Sequence, residues 1–127
     1  MTLNIPRDEW ANFLDDLTKR RFEWKTNLEV INAEIGDQTL GDGLPLKGVT
    51  FEDKSGKPEV EILLGNDAYR HQAHSIANPE KVAFLPNERD GGGILEIEER
   101  DGTKTLVRLL EPMPIQKGYG AYWTAAA

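Results

Sequence analysis

The only two histidines in this sequence, His71 and His74, lie three residues apart. Imidazole titrates near neutral pH and is a common metal ligand, so this pair is the pattern with the clearest chemical potential in the chain. On a helix, the spacing would place both rings on one face, where they could bind one metal ion together with a carboxylate from Asp67 or Glu80. On a strand, the same spacing would place the rings on opposite faces and make a shared ion unfavourable.

The residues around the histidines leave both conformations open. Turn-forming residues at 65–67 and 78–79 bound the segment. Strand-like runs precede and follow it, which favours an extended conformation. Ala68, Gln72 and Ala73 are poor strand formers and keep a helical turn possible. We expect the extended form, with two imidazoles that do not form a single site.

Other catalytic patterns are incomplete. Ser75 directly follows His74, and neighbours on an extended chain point apart, so His74 is poorly placed to activate it. Glu96 and Glu98 would share a strand face about 7 Å apart, a separation that glycosidases use. With Arg100 on the same face, a charge-balanced exterior is the simpler interpretation. We therefore assign no catalytic residue and expect no cofactor.

The C-terminal residues 111–127 form a segment rich in proline, glycine and aromatic residues that follows no periodic pattern. Its aromatic side chains, Tyr119, Tyr122 and Trp123, are our candidates for partner binding. They could pack into a groove of their own domain, of a second copy or of another protein.

Composition narrows the class of protein. The chain has 127 residues, a formal net charge of −7 and no cysteine. This length fits one domain, which we place at residues 1–110, and the absence of cysteine excludes disulfides and thiolate chemistry. An acidic chain without a basic footprint argues against nucleic acid and anionic membranes as partners. With no signal-like N-terminus and no long apolar run, we expect a cytoplasmic protein.

Periodicity predicts one helix followed by strands. Trp10, Phe13, Leu14 and Leu17 form an apolar stripe at helical spacing, and cations follow in the last turn. Residues 22–30 then alternate with period two. Further strands are predicted at 38–40, 46–52, 59–64, 81–85, 94–100 and 103–110. This order indicates an α+β domain, with the amphipathic helix packed on a curled antiparallel sheet or small open barrel of six to seven strands.

The clearest turn signal is Asp101-Gly102 between the last two predicted strands. A two-residue loop there would pair Ile97 with Leu106 and Glu99 with Lys104. A longer loop would change the register.

Several short motifs together resemble an uncharacterised bacterial domain-of-unknown-function family (DUF5335-like). They are Ile5-Pro6-Arg7-Asp8-Glu9-Trp10 with Phe13, Glu34-Ile35-Gly36-Asp37-Gln38, Leu44-Pro45-Leu46-Lys47-Gly48-Val49, His71 with His74, Leu95-Glu96-Ile97-Glu98 and Leu106-Val107-Arg108. The resemblance extends from about residue 5 to residue 110. It implies a small bacterial cytosolic protein of unassigned activity and identifies no functional residue.

These observations favour a non-catalytic binding or assembly module whose partner is another protein or a second copy of the chain. The alternative is a metal-dependent or acid/base enzyme that uses His71, His74 and nearby carboxylates.

Overall fold

A computed structural model describes residues 1–67 and 69–113 of the chain. Strand β1 (Leu3–Ile5) is followed by a 3₁₀ turn (Arg7–Glu9) and helix α1 (Trp10–Arg20). Seven strands follow: β2 (Trp24–Asn32), β3 (Gly36–Lys54), β4 (Lys57–Asn66), β5 (Tyr69–Ala77), β6 (Pro79–Pro86), β7 (Gly93–Glu99) and β8 (Lys104–Pro112). The eight strands form one curled sheet in the order β1-β6-β7-β8-β2-β3-β4-β5, and every neighbouring pair is antiparallel.

The prediction of an α+β domain with six to seven strands is wrong. The described residues form eight strands and a single α-helix of 11 residues, so the chain is mostly antiparallel sheet. The error has three sources. The three-residue β1 was too short to detect, β5 has few strand-forming residues, and the two strands predicted at 38–40 and 46–52 are parts of one strand.

That strand, β3, organises the fold. It is 19 residues long, and its first half pairs with β2 whereas its second half pairs with β4. Register shifts on both sides of the strand mark the bend between the halves. Because the two halves face different neighbours, the sheet curls around a single interior.

The predicted helix is confirmed, and its apolar stripe lies in that interior. Trp10, Leu14 and Leu17 are buried, and Phe13 packs against the same cluster. The Trp10 indole N–H donates to the Ile5 carbonyl oxygen at 2.8 Å and so connects the helix to β1. The helix end is held differently: Thr18 Oγ1 lies 2.9 Å from the Val49 amide nitrogen on β3, which donates to it.

The core combines this helix with both halves of the sheet. Its fully buried apolar strand residues are Leu28, Leu46, Val49, Val60, Ile62, Leu64, Ile76, Leu95, Ile97 and Val107. Phe22 was predicted to begin the inward face of β2, but it precedes the strand and is 53% exposed. Neither helix within residues 1–67 and 69–113 is long or apolar enough to cross a membrane.

The last hairpin has the longer loop. Ile97 pairs with Thr105 and Glu98 with Lys104, one residue away from the register that a two-residue loop would give. The Glu99 amide donates to the Thr103 carbonyl oxygen, and the Gly102 amide donates to the Glu99 carbonyl oxygen. This register places Ile97 and Thr105 together on the inward face, where both are fully buried.

Candidate functional site

The two histidines lie on opposite faces of a strand. They belong to β5, where the exposed residues His71, Ala73 and Ser75 alternate with the less exposed Gln72 and His74. The extended alternative is therefore correct for this segment, and one strand does not direct both rings to the same ion. Within residues 1–67 and 69–113, no group of three or more His, Cys, Asp or Glu residues could hold a metal ion.

The inward histidine has an altered acidity. His74 pairs with the buried Ile62 on β4. Burial lowers the pKa of His74, because the charged imidazolium loses solvation there. Glu80, a candidate third ligand, lies 3.4 Å from the Arg100 guanidinium instead. The histidine segment thus has the packing of a structural strand.

Two carboxylates of β7 share a basic neighbour. Glu96 lies 3.9 Å from Lys104, and Glu98 is directly opposite Lys104 in the sheet. Arg100 lies beyond the strand and pairs with Glu80. The two glutamates therefore belong to the charge-balanced exterior that the sequence favoured, although their cation is Lys104.

A feature that the sequence interpretation missed lies on the outward face of β6, β7 and β8. Two adjacent clefts of about 650 Å³ and about 230 Å³ share the side chains of Leu85 and Ile94. Leu110 lines the larger cleft and Leu106 the smaller one. We call this continuous depression the outer groove. Its floor has four aliphatic side chains beside those of Arg108 and Glu96, on a sheet face that is normally polar.

The register explains why the four aliphatic side chains meet. Leu85 is directly opposite Ile94, and Ile94 is directly opposite Arg108. Leu106 and Leu110 flank Arg108 at i−2 and i+2 and so project on the same side of β8. Leu85 remains 41% exposed and Leu110 37% exposed, which leaves this aliphatic surface accessible.

A hydrogen-bonded loop forms one rim of the outer groove. Residues 87–90 line the larger cleft. The Asn87 amide donates to the Gly92 carbonyl oxygen, and the Gly92 amide donates to the Asp90 carboxylate at 2.8 Å. From the helix end, Arg21 Nε donates to the Gly91 carbonyl oxygen at 3.0 Å. These bonds connect the rim to its own backbone and to the end of helix α1.

The charges around the outer groove have both signs. Glu88, Arg89 and Asp90 lie on the loop rim. Arg108 forms a hydrogen-bonded ion pair with Glu29 on β2, and Glu29 is the less exposed partner. The outer groove therefore combines aliphatic side chains with a polar rim whose backbone is hydrogen-bonded.

The groove could have been detected from consecutive apolar residues. Ile94-Leu95, Leu106-Val107 and Leu109-Leu110 each break the alternation expected of a strand with one polar face. In each pair one side chain is buried and the other lies on the outward face. The predicted partner-binding residues Tyr119, Tyr122 and Trp123 lie outside the described residues.

A family profile and one known protein each match nearly the whole chain. The profile of a family of unknown function, DUF5335, matches residues 1–117. An "Uncharacterized protein" from Aquifex aeolicus (strain VF5) is 28% identical over 114 residues, which cover 90% of this chain and 96% of that protein. No solved structure matches the chain. The family match includes every described strand and extends beyond residue 110, where the resemblance in the sequence motifs ended.

Proposed function

Because the chain belongs to DUF5335, a family of unknown function, its activity must be argued from its own residues, and we propose that it is a non-catalytic module that binds a protein partner. The observation that carries this proposal is the outer groove. Its aliphatic floor is accessible on one side of the sheet, and its rim is fixed by backbone hydrogen bonds. An exposed apolar surface surrounded by hydrogen-bonded polar groups favours the binding of another polypeptide.

The partner segment is expected to present aliphatic or aromatic side chains. The larger cleft, of about 650 Å³, has room for a few such side chains but not for a folded domain. A matching segment would cover Leu85, Ile94 and Leu110 and leave the rim charges in water. Burial of these three side chains would supply the apolar part of the binding energy.

The C-terminal aromatic residues belong to the same proposal. Strand β8 ends at Pro112, two residues after Leu110 at the edge of the outer groove. The segment with Tyr119, Tyr122 and Trp123 is therefore attached beside this surface. We propose that these side chains add contacts to the bound partner.

Site-specific photo-crosslinking tests the proposal. A benzoylphenylalanine at position 106 is expected to give a defined adduct in an extract of the native organism. The matched control is position 37, since Asp37 is exposed on a strand but lies on the part of β3 that pairs with β2. The Ile94→Lys substitution should abolish the adduct from position 106, because it places a charge on the groove floor.

The controls separate binding from folding. Circular dichroism and the urea midpoint of Ile94→Lys should match those of the unsubstituted protein within experimental error, because Ile94 projects outward. If position 106 gives no adduct beyond that of position 37, or if the adduct persists in folded Ile94→Lys, the outer groove is not the binding surface. A chain that ends at residue 113 should form the adduct less efficiently if the aromatic residues contribute.

A further inference from the structure

A second surface, at the opposite end of the sheet from β1, is formed by the edge of β5. In the part of the chain that the structure describes, β4 is the strand hydrogen-bonded to β5, and β5 is the last strand in the sheet order. The Gln72 side chain reaches inward and donates to the Leu40 carbonyl oxygen at 2.7 Å. This contact fixes β5 from the interior and leaves the outward face of residues 73–77 exposed at Ala73, Ser75 and Ala77.

The two edges of the sheet differ in how they are protected. Edge strands invite pairing with other chains, and proteins prevent it with short strands, prolines and charged side chains. Strand β1 is three residues long and is followed by Pro6. Strand β5 is nine residues long, contains no proline and has a single charged residue, Arg70. The β5 edge therefore lacks the protection that β1 has.

Two acidic side chains lie on the outward face of β4, the strand next to this edge. Ser75 is directly opposite Glu61 on β4, and Ala77 is directly opposite Glu59. The small Ser75 and Ala77 side chains do not screen these carboxylates from the edge. A strand added beside β5 would lie about 10 Å from β4. A lysine or arginine side chain on that strand could extend across the small Ser75 or Ala77 side chain and reach the carboxylates of β4.

The carboxylates at this end are available to a partner. Neither Glu59 nor Glu61 has an ion-pair partner within 4 Å among the residues described. Their negative charge also acts on Lys54. The pKa of Lys54 is raised mainly by its hydrogen bond and charge interaction with Glu52, and further by the charges of Glu59 and Glu61. The other end of the edge differs, since Lys47 and His71 line a shallow cleft of about 310 Å³ there.

We propose that β5 accepts an extended segment of a protein partner as a ninth strand, and that this segment has basic side chains at alternate positions. The basic side chains lie over Ser75 and Ala77 and pair with Glu61 and Glu59. The main-chain bonds give affinity, and the alternate side chains give specificity. This site is distinct from the outer groove, which lies on β6, β7 and β8.

Peptide binding to the complete chain tests the proposal. The probe is a fluorescein-labelled peptide, Thr-Lys-Thr-Lys-Val-Lys-Thr, measured by fluorescence anisotropy at low ionic strength. Two controls are a peptide with glutamate in place of lysine and a peptide of the same composition whose lysines are consecutive. The alternating peptide should bind at least tenfold more tightly than either control.

Substitutions in the protein locate the site. The double variant Glu59→Gln with Glu61→Gln should weaken binding of the alternating peptide about tenfold. Glu96→Gln is the matched control, since Glu96 is an outward strand glutamate of the other half of the sheet, and it should leave the affinity within twofold. Hydrogen exchange of backbone amides at residues 73–77 should slow when the peptide is bound.

Three results would overturn the assignment. They are equal binding of the alternating and consecutive-lysine peptides, equal weakening by Glu96→Gln, and unchanged exchange in β5. A concentration-dependent doubling of mass without peptide, abolished by Ser75→Lys, would instead assign the edge to a second copy. Ile94→Lys should bind the peptide normally, so a failure of this proposal is distinguishable from a failure of the outer groove.

Discussion

Replacement of Thr105 by valine should raise the free energy of unfolding, because its buried hydroxyl has no hydrogen-bond partner among the described residues. The side chain is fully buried between Val30 and Ile97, its neighbours in the sheet. An unsatisfied buried hydroxyl costs about 1–3 kcal/mol. Valine has nearly the same shape and adds a buried methyl group worth about 0.8 kcal/mol. We expect a gain of about 2 kcal/mol.

Thr26 provides the matched control. It is also fully buried in a strand, but its hydroxyl donates to the Trp24 carbonyl oxygen at 2.8 Å. Thr26→Val should lower the free energy of unfolding by about 1 kcal/mol, since a satisfied bond is lost. Urea titration followed by tryptophan fluorescence measures both variants. If Thr105→Val destabilises the protein as much as Thr26→Val, the Thr105 hydroxyl is satisfied and the reasoning fails.

Two further predictions concern the histidine segment. The free energy of unfolding should fall as the pH drops from about 7.5 to 5.5. Burial lowers the pKa of His74 in the folded protein, whereas a histidine in the unfolded chain has a pKa of about 6.5. In this pH range the unfolded chain therefore binds more protons than the folded protein does. Urea titrations at several pH values should show a smaller slope for His74→Gln, and an identical slope would contradict this assignment. Gly65→Ala should destabilise by about 3 kcal/mol, since φ is +107° and a Cβ would overlap the Arg70 carbonyl oxygen. Gly36→Ala, with φ +87° and open space around it, should cost only about 1 kcal/mol in the same thermal or urea unfolding assay; equal effects of the two substitutions would show that close contact at Gly65 is unimportant.

The sequence predicted the elements whose signals are local. The stripe of Trp10, Leu14 and Leu17 identified α1, because helical periodicity and buried surface coincide there. The 19-residue β3 was not predicted, since glycines and Pro45 lie within it and are expected to end a strand. It persists because each half has its own hydrogen-bonded neighbour, which is a property of the tertiary fold.

The candidate surfaces show a similar division. The histidine geometry was correctly expected from alternation along an extended chain. The outer groove depends on which strands become neighbours, since Leu85 and Ile94 meet through the pairing of β6 with β7. Its local trace, paired apolar residues such as Leu109-Leu110, does not show which strands bring the outward members of the pairs together. The β5 edge required the full strand order, which no local pattern contains.

The pairing of β2 with β8 has a consequence for how the protein is made. Leu28 on β2 is directly opposite Val107 on β8, and the Glu29–Arg108 contact between the same strands joins residues 79 positions apart. At about 5–20 residues per second, a ribosome needs about 4–16 s to synthesise that interval. During this time β2 has been synthesised but β8 has not, so this side of the sheet can close only after translation has passed Pro112, the end of β8.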